Sequence, residues 1–232
     1  MNKKKELIIT AVISFIALAI LVTLVAILEK NNFNIRLDFS VRDFFYSIRG
    51  EKNGFLYYLA KLISELAATY IIIFYLVFGI FYSKIDKRLI IFVMGILMAK
   101  VFNDTLKEIF NRLRPLEENM WAIENETSFP SGHSTMAGFL YTFIPFIVLK
   151  NHKRKCIIIP VIAVSGSLLI LVPISRLVLG VHYFTDVCAG LASGVIVTGI
   201  CIFLYYIFEK YDFMNKPLLN FKKEKNEEIK NN

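Results

Sequence analysis

Leu7–Leu28 reads LIITAVISFIALAILVTLVAIL, twenty-two residues without a single charge. As a helix rising 1.5 Å per residue, a run of that length crosses the hydrocarbon core of a bilayer. Lys3, Lys4 and Lys5 precede it, and Ala26-Ile27-Leu28 leads straight into Glu29. A cleaved export signal has a shorter apolar core and a small-residue cleavage site behind it. The run is therefore read as a retained anchor, its lysines held on the cytoplasmic side. Composition says that more such runs follow. The chain is 56% hydrophobic, with a mean hydropathy of +0.57, which excludes an ordinary soluble domain and argues for an integral membrane protein. In such a chain a net charge of +8 belongs to cytoplasmic turns rather than to nucleic-acid contact.

Five further apolar stretches can be marked, at 55–82, 89–110, 132–149, 156–174 and 184–208. The expected fold is thus all-α and polytopic, with six transmembrane helices. Within the polar segment 29–54, Val41, Phe44, Phe45 and Ile48 repeat at helical spacing, and Ser40 with Asp43 resembles a capping box. This is a short amphipathic helix, lying on the outer membrane surface or packed on the protein as a loop helix. Lys61 and Glu65 stand four apart and can pair. Sixteen Lys and Arg fall on the segments assigned to the cytoplasm and eight on the outer ones, which places both termini inside. The acidic loop 116–129 carries Glu117, Glu118, Glu124 and Glu126 and the only Trp, Trp121, as a headgroup-level anchor. The six-span domain is expected to cover 1–216, and 217–232 to be a charged cytoplasmic tail. Cys156, Cys188 and Cys201 lie in or beside apolar runs without metal-ligand spacing, so neither a disulfide nor a zinc site is expected.

Three polar clusters interrupt this pattern. The second half of the 89–110 span carries Lys100, Asn103, Asp104, Lys107 and Glu108, and Arg114-Pro115 follows it. Charges in a span face a bundle interior or a wet cavity. Lys107, Asn111 and Arg114 at i, i+4, i+7 would share one helical face; alternatively, Lys107 pairs with Asp104 and Arg114 snorkels to the interface. Next, Pro130-Ser131-Gly132-His133 opens the 132–149 span. By itself this tetrapeptide reads as an ordinary turn, as most Pro-Ser-Gly runs are. At a helix start it also offers free N–H groups, a glycine that lets a ligand approach, and an imidazole. The third cluster is Ser175-Arg176 with His182 and Asp186. Four residues apart on a helix, the carboxylate can hold the second imidazole N–H and fix the tautomer.

The topology brings all three clusters to the outer boundary. Lys107, Arg114 and Arg176 together call for a dense anion, and phosphate fits best. No carboxylate set spaced for Mg²⁺ accompanies them, so the cations would themselves neutralise phosphoryl oxygens. Two histidines on one phosphate suggest a nucleophile and a proton donor.

Lys107-x6-Arg114-Pro115, Pro130-Ser131-Gly132-His133 and Ser175-Arg176-x5-His182-x3-Asp186 resemble the three-part signature of the type 2 phosphatidic acid phosphatases. That family shares a superfamily with vanadium-dependent haloperoxidases and bacterial acid phosphatases. The resemblance covers about residues 100–190. It implies that His182 forms a phosphohistidine and that Asp186 orients it. His133 would serve as general acid and then as the base for water. Lys107, Arg114, Ser131, Gly132 and Arg176 would hold the phosphate, with no metal and no cofactor. The expected activity is hydrolysis of a lipid phosphate or diphosphate at the outer leaflet of the cell membrane, with the bilayer lipid as partner. Undecaprenyl diphosphate is favoured over phosphatidylglycerophosphate or phosphatidic acid. Two alternatives stand beside it: a vanadate-using haloperoxidase, and a catalytically silent lipid-phosphate binding or transport protein on the same scaffold.

Overall fold

The computed structural model describes residues 3–33, 35–68, 71–74, 77, 86–115, 118, 120–122, 124 and 126–211. The tail expected over 217–232, Glu117 and the end of the second span at 78–82 lie outside these residues. The structure is all-helical among them: α1 Lys3–Lys30, α2 Arg36–Ile48, α3 Phe55–Glu65, α4 Lys87–Phe110, α5 Gly132–Asn151, α6 Lys155–Val178 and α7 Phe184–Lys210. Five of these, α1 and α4 to α7, are long and apolar enough to cross a membrane.

Helix α7 is central, packing against α5, α1 and α4, while α6 packs against α5 and α3. Between apolar helices in lipid there is no hydrophobic gain from association, so close backbone approach has to supply the packing. Here it does. A Cβ on Gly190 would come within 2.5 Å of the Ser131 carbonyl oxygen, and one on Gly194 within 2.2 Å of the Thr135 oxygen. The two helices therefore touch backbone to backbone at the level of the Ser-Gly-His motif. Farther along, the rings of Phe92, Phe139 and Phe143 stack at 5.4–6.2 Å between α4 and α5.

The two ends of the bundle differ in kind. At one end Lys3 pairs with Glu209 at 3.0 Å, and Glu6 is held by Lys150 and the Tyr206 hydroxyl. Asp86 caps α4 by accepting from the Arg88 and Leu89 amides. The other end collects the C-terminal ends of α4 and α6 with the N-terminal ends of α5 and α7, and all three polar clusters lie there.

Several local expectations are corrected. The second span does not continue as one helix from Phe55. Helix α3 stops at Glu65, Leu66 to Ala68 form a tight turn, and helix resumes at 71–74. The Leu66 carbonyl freed by the break accepts a hydrogen bond from the Tyr141 hydroxyl at 2.6 Å, a side chain standing in for the lost ladder bond. Lys61 and Glu65 are both exposed and form no ion pair. Helix α2 starts at Arg36, before Ser40, and its N-cap Ile35 makes no side-chain cap. Asp43 pairs with Arg42 instead of capping. Leu37, Phe44 and Ile48 of α2 are exposed, whereas Asp38 is fully buried. Trp121 is no headgroup anchor. Its ring is buried against Tyr57 and under the Arg49 guanidinium, and its N–H of the main chain donates to Leu179.

Candidate active site

Helix α5 begins where the chain must turn inward from the acidic loop. Ser131 is its N-cap, with extended backbone, and its hydroxyl accepts from the Ser134 amide at 3.4 Å. The Ser131 amide donates to the Asp186 carbonyl at 3.0 Å, which ties this turn to α7. From α4, Asn103 donates to the Pro130 carbonyl at 3.3 Å and to Thr135 Oγ1 at 3.0 Å. A Cβ on Gly132 would meet only Asn103 Oδ1, at 3.4 Å. The N-terminal turn of α5 is thus held in place by α4 and α7, and a helix N-terminus so fixed can face an anion. His133 is partly buried in that first turn and feels the charges of Arg176, Arg114 and Lys107.

His182 and Asp186 do meet, but not across one helical face. His182 precedes α7, Tyr183 is the N-cap, and Asp186 sits in the first turn. The Asp186 carboxylate turns back, as N3 carboxylates do. Its Oδ2 accepts from the Tyr183 amide at 2.8 Å and from the Ser128 hydroxyl, and faces His182 Nδ1 at 3.7 Å. The other imidazole nitrogen, Nε2, lies 3.2 Å from Arg114 Nη1. A guanidinium only donates, so Nε2 carries the lone pair and Nδ1 the proton. His182 is 3% exposed. Burial, and then Arg114 and Arg176, lower its pKa to about 3 although Asp186 opposes the shift. The ring is therefore neutral across the physiological range.

The three expected cations gather here, though not by the expected route. Lys107 is on α4, buried, and donates to the Thr127 carbonyl with Glu126 3.5 Å away. Arg114 is not on the same helix face. Helix α4 ends at Phe110, and Asn111 takes the left-handed conformation with φ 39°. Asparagine tolerates that conformation better than most residues, and the chain bends there toward α7. Arg114 then donates to Glu126 O at 2.6 Å and Val181 O at 2.8 Å. Lys107 does not pair with Asp104, which takes Lys100 at 2.8 Å instead. Arg176 is buried, donating through Nη1 to Ser64 at 2.6 Å and through Nη2 to Glu124. Its Nε has no acceptor among the described residues. Glu124 bridges the two arginines, reaching Arg114 at 3.6 Å. Burial would raise the Glu124 pKa, but Arg176 and Arg114 outweigh it and hold the carboxyl below its ordinary value.

A second, deeper layer was not anticipated. Arg112 is 4% exposed. It donates through Nη1 to Asp186 Oδ1 at 2.5 Å and to Thr185 Oγ1 at 2.8 Å, and through Nη2 to Asp38 Oδ2 at 2.7 Å and to the Phe33 carbonyl at 3.3 Å. Its face rests on Tyr183, 4.3 Å to the ring centre. Asp38 in turn accepts from the Thr185 amide at 2.9 Å and hydroxyl at 2.7 Å. Burial opposes the Arg112 charge, yet Asp186 and Asp38 push its pKa up. Removing one partner from such a buried ionic cluster costs on the order of 3–5 kcal/mol. Ser128, Glu124, Arg112 and Asp38 were not among the expected site residues. Arg112 carried one signal, a second arginine two places before Arg114. Asp38 carried none.

Among the described residues no three His, Cys, Asp or Glu side chains are grouped to hold a metal ion. Cys156, Cys188 and Cys201 are all unpaired thiols.

Comparison with known proteins places this arrangement. A family model described as the PAP2 superfamily matches residues 88–211, which include Lys107, Arg112, Arg114, the Ser-Gly-His turn, Arg176, His182 and Asp186 but not Asp38. Phosphatidylglycerophosphatase B of Bacillus subtilis is 36% identical over 124 residues, covering 50% of this chain and 57% of that protein. The chain thus matches less than two thirds of that relative's length. Dolichyldiphosphatase of Saccharomyces cerevisiae is 26% identical over 178 residues, covering 71% of this chain and 70% of the relative. Among solved structures, a transmembrane PAP2 type phosphatidylglycerolphosphate phosphatase from Bacillus subtilis superposes with a TM-score of 0.70 at 25% identity, over 89% of this chain and 98% of that one. Aquifex aeolicus LpxE superposes at 0.60 with 24% identity, over 74% and 98%.

Proposed function

The chain belongs to the PAP2 superfamily, and on that premise we propose that it is a membrane phosphatase hydrolysing a lipid phosphate or diphosphate through a phosphohistidine on His182. The observation that carries the reading is the Arg114–His182 contact at 3.2 Å. It presents an unprotonated Nε2 at the spot where guanidinium donors converge, which is what attack on a phosphoryl group needs.

In the proposed reaction the phosphate sits before the α5 N-terminus, held by the Ser131–Gly132 turn, Lys107, Arg114 and Arg176. The donor on Arg176 Nε, unsatisfied among the described residues, gains an acceptor there, relieving a cost of about 1–3 kcal/mol. The Nε2 lone pair attacks phosphorus and the bond to the lipid oxygen breaks. His133 takes up a proton once the negative charge of the bound phosphate offsets the three cations around it, and gives that proton to the lipid oxygen. Asp186 stabilises the positive charge that develops on His182. In the second half, His133 takes a proton from water, the water oxygen attacks phosphorus, and the P–N pair returns to Nε2 with release of phosphate.

Two of the relatives support a lipid substrate: by their names, phosphatidylglycerophosphatase B acts on phosphatidylglycerophosphate and dolichyldiphosphatase on dolichyl diphosphate. Undecaprenyl diphosphate, phosphatidylglycerophosphate and phosphatidic acid are the proposed candidates. The excess of Lys and Arg at the end carrying Lys3, Arg88 and Lys150 supports an orientation with that end cytoplasmic and the site at the outer leaflet.

The test is phosphate release by purified full-length protein in detergent across these lipids, with acid quenching to trap a phosphoenzyme. Turnover of at least one lipid and a trapped phosphohistidine are expected, both lost in His182→Ala. Release at the wild-type rate by that variant overturns the assignment, and no release from any lipid favours a binding protein on the same scaffold.

A further inference from the structure

Asp38 stands out because nothing in the reaction just described uses it. It is 0% exposed, comes from the amphipathic helix α2, and lies outside the matched family region. A carboxylate buried that completely needs several donors, and Asp38 has three: its oxygens are engaged by the Thr185 amide, the Thr185 hydroxyl and Arg112 Nη2, the last contact being also an ion pair. Two consequences follow. Asp38 acts as a borrowed N-cap for α7, satisfying a first-turn amide that α7's own N-cap does not. It also shares Arg112 with Asp186.

The sharing decides the charge next to His182. Arg112 alone would neutralise Asp186, leaving a pair of zero net charge behind the imidazole. With Asp38 added, the buried group Asp38–Arg112–Asp186 carries one net negative charge. Geometry then directs that charge. Arg112 takes Asp186 Oδ1 at 2.5 Å, and Oδ2 is left facing His182 Nδ1. In a site with few other dipoles to respond, an extra unit charge behind a group that becomes cationic is strongly felt.

We propose that Asp38 and Arg112 are positioning residues for the reaction: together they aim the Asp186 carboxylate and keep it anionic in effect as His182 becomes phosphorylated. This rests on the assignment of His182 as nucleophile. Neither residue is among the groups assigned to the phosphate, and the side-chain hydrogen bonds they make go to Asp186, Thr185, Phe33 and each other, so their contribution belongs to the rate of phosphoryl transfer and not to binding.

The experiment is a charge cycle on the full chain in detergent. Asp38→Asn, Arg112→Gln and the double variant are compared with wild type for kcat, KM, inhibition by inorganic phosphate and the rate of phosphoenzyme formation. Asp38→Asn should lower kcat and phosphoenzyme formation by about tenfold or more, the factor of one pKa unit of differential stabilisation. KM and the phosphate inhibition constant should stay within about twofold. The double variant restores one net negative charge at Asp186 and should form the phosphoenzyme faster than Asp38→Asn alone. A merely structural pair gives the reverse, with losses that accumulate. The proposal is overturned if Asp38→Asn keeps wild-type kcat, if KM rises in step with the loss, if the double variant is slower than both single ones, or if none of the three variants folds. Absence of any phosphoenzyme in wild type strikes the nucleophile assignment instead, so the two failures are distinguishable.

Discussion

Arg114 and His182, sixty-eight positions apart, meet at 3.2 Å between Nη1 and Nε2. The contact settles which nitrogen is free, because a guanidinium has no lone pair to offer. It also places a fixed cation against an imidazole that is almost wholly buried. Together these make His182 neutral, and neutrality has a cost that can be measured.

An imidazole held at about 3 binds fewer protons than the same residue in the unfolded chain, near 6.5. Between those values the unfolded state takes up the extra proton, so stability rises with pH and falls as pH drops below about 6.5. At pH 5 the loss from this residue should reach roughly 2 kcal/mol. Thermal unfolding in detergent between pH 7.5 and 5 checks it. The wild type should lose more stability over that interval than His182→Gln. Equal slopes would mean that the imidazole is not held neutral.

Glu124 lies against both Arg114 and Arg176, where a phosphate oxygen would compete with it. Glu124→Gln removes the competing charge. Inhibition by inorganic phosphate should tighten by about threefold to tenfold, an energy of roughly 1 kcal/mol, and KM should fall with it. Weaker phosphate inhibition in this variant would show that the carboxylate supports the arginines rather than contending with the ligand.

Gly190 faces the Ser131 carbonyl so closely that a methyl group would stand 2.5 Å from it. Gly190→Ala must push α5 and α7 apart just where the candidate phosphate turn begins. A stability loss of about 1–3 kcal/mol is expected, with a larger proportional loss of turnover than of folded protein. Parallel measurement of residual activity and unfolding midpoint separates the two; activity matching wild type per folded molecule would show that the turn tolerates the shift.

In the proposed mechanism, cations of the chain take the part a metal ion has in other phosphoryl-transfer sites. Incubation with excess chelator should therefore leave phosphate release within about twofold of the untreated rate, a change below roughly 0.5 kcal/mol. Strong loss that Mg²⁺ restores would overturn that feature of the mechanism.

The spans from Leu7, Leu89, Gly132, Cys156 and Phe184 were legible because hydropathy is a local property, summed over twenty residues and indifferent to partners. His133, His182, Asp186, Arg114 and Arg176 stood out as candidates because their spacing resembles a known signature. Where a position depended on distant partners, sequence reasoning failed. The i, i+4, i+7 face of Lys107, Asn111 and Arg114 presumed a helix that in fact ends at Asn111. The break after Glu65 rests on a hydroxyl seventy-five positions away, on Tyr141. Asp38 looked like an ordinary loop acid, and only the fold brings it to Thr185 and Arg112.

The glycine contacts between α5 and α7 have a consequence for how the cleft can vary. Where two main chains abut with no side chain between them, no rotamer can swing aside, and that wall cannot reshape itself around a bulkier guest. Under the proposed function, any adjustment to headgroups of different size must then come from side chains such as Glu124, which lies against Arg114 and Arg176. A substitution at Glu124 would then retune which lipid is admitted while leaving the abutting main chains of α5 and α7 as they are.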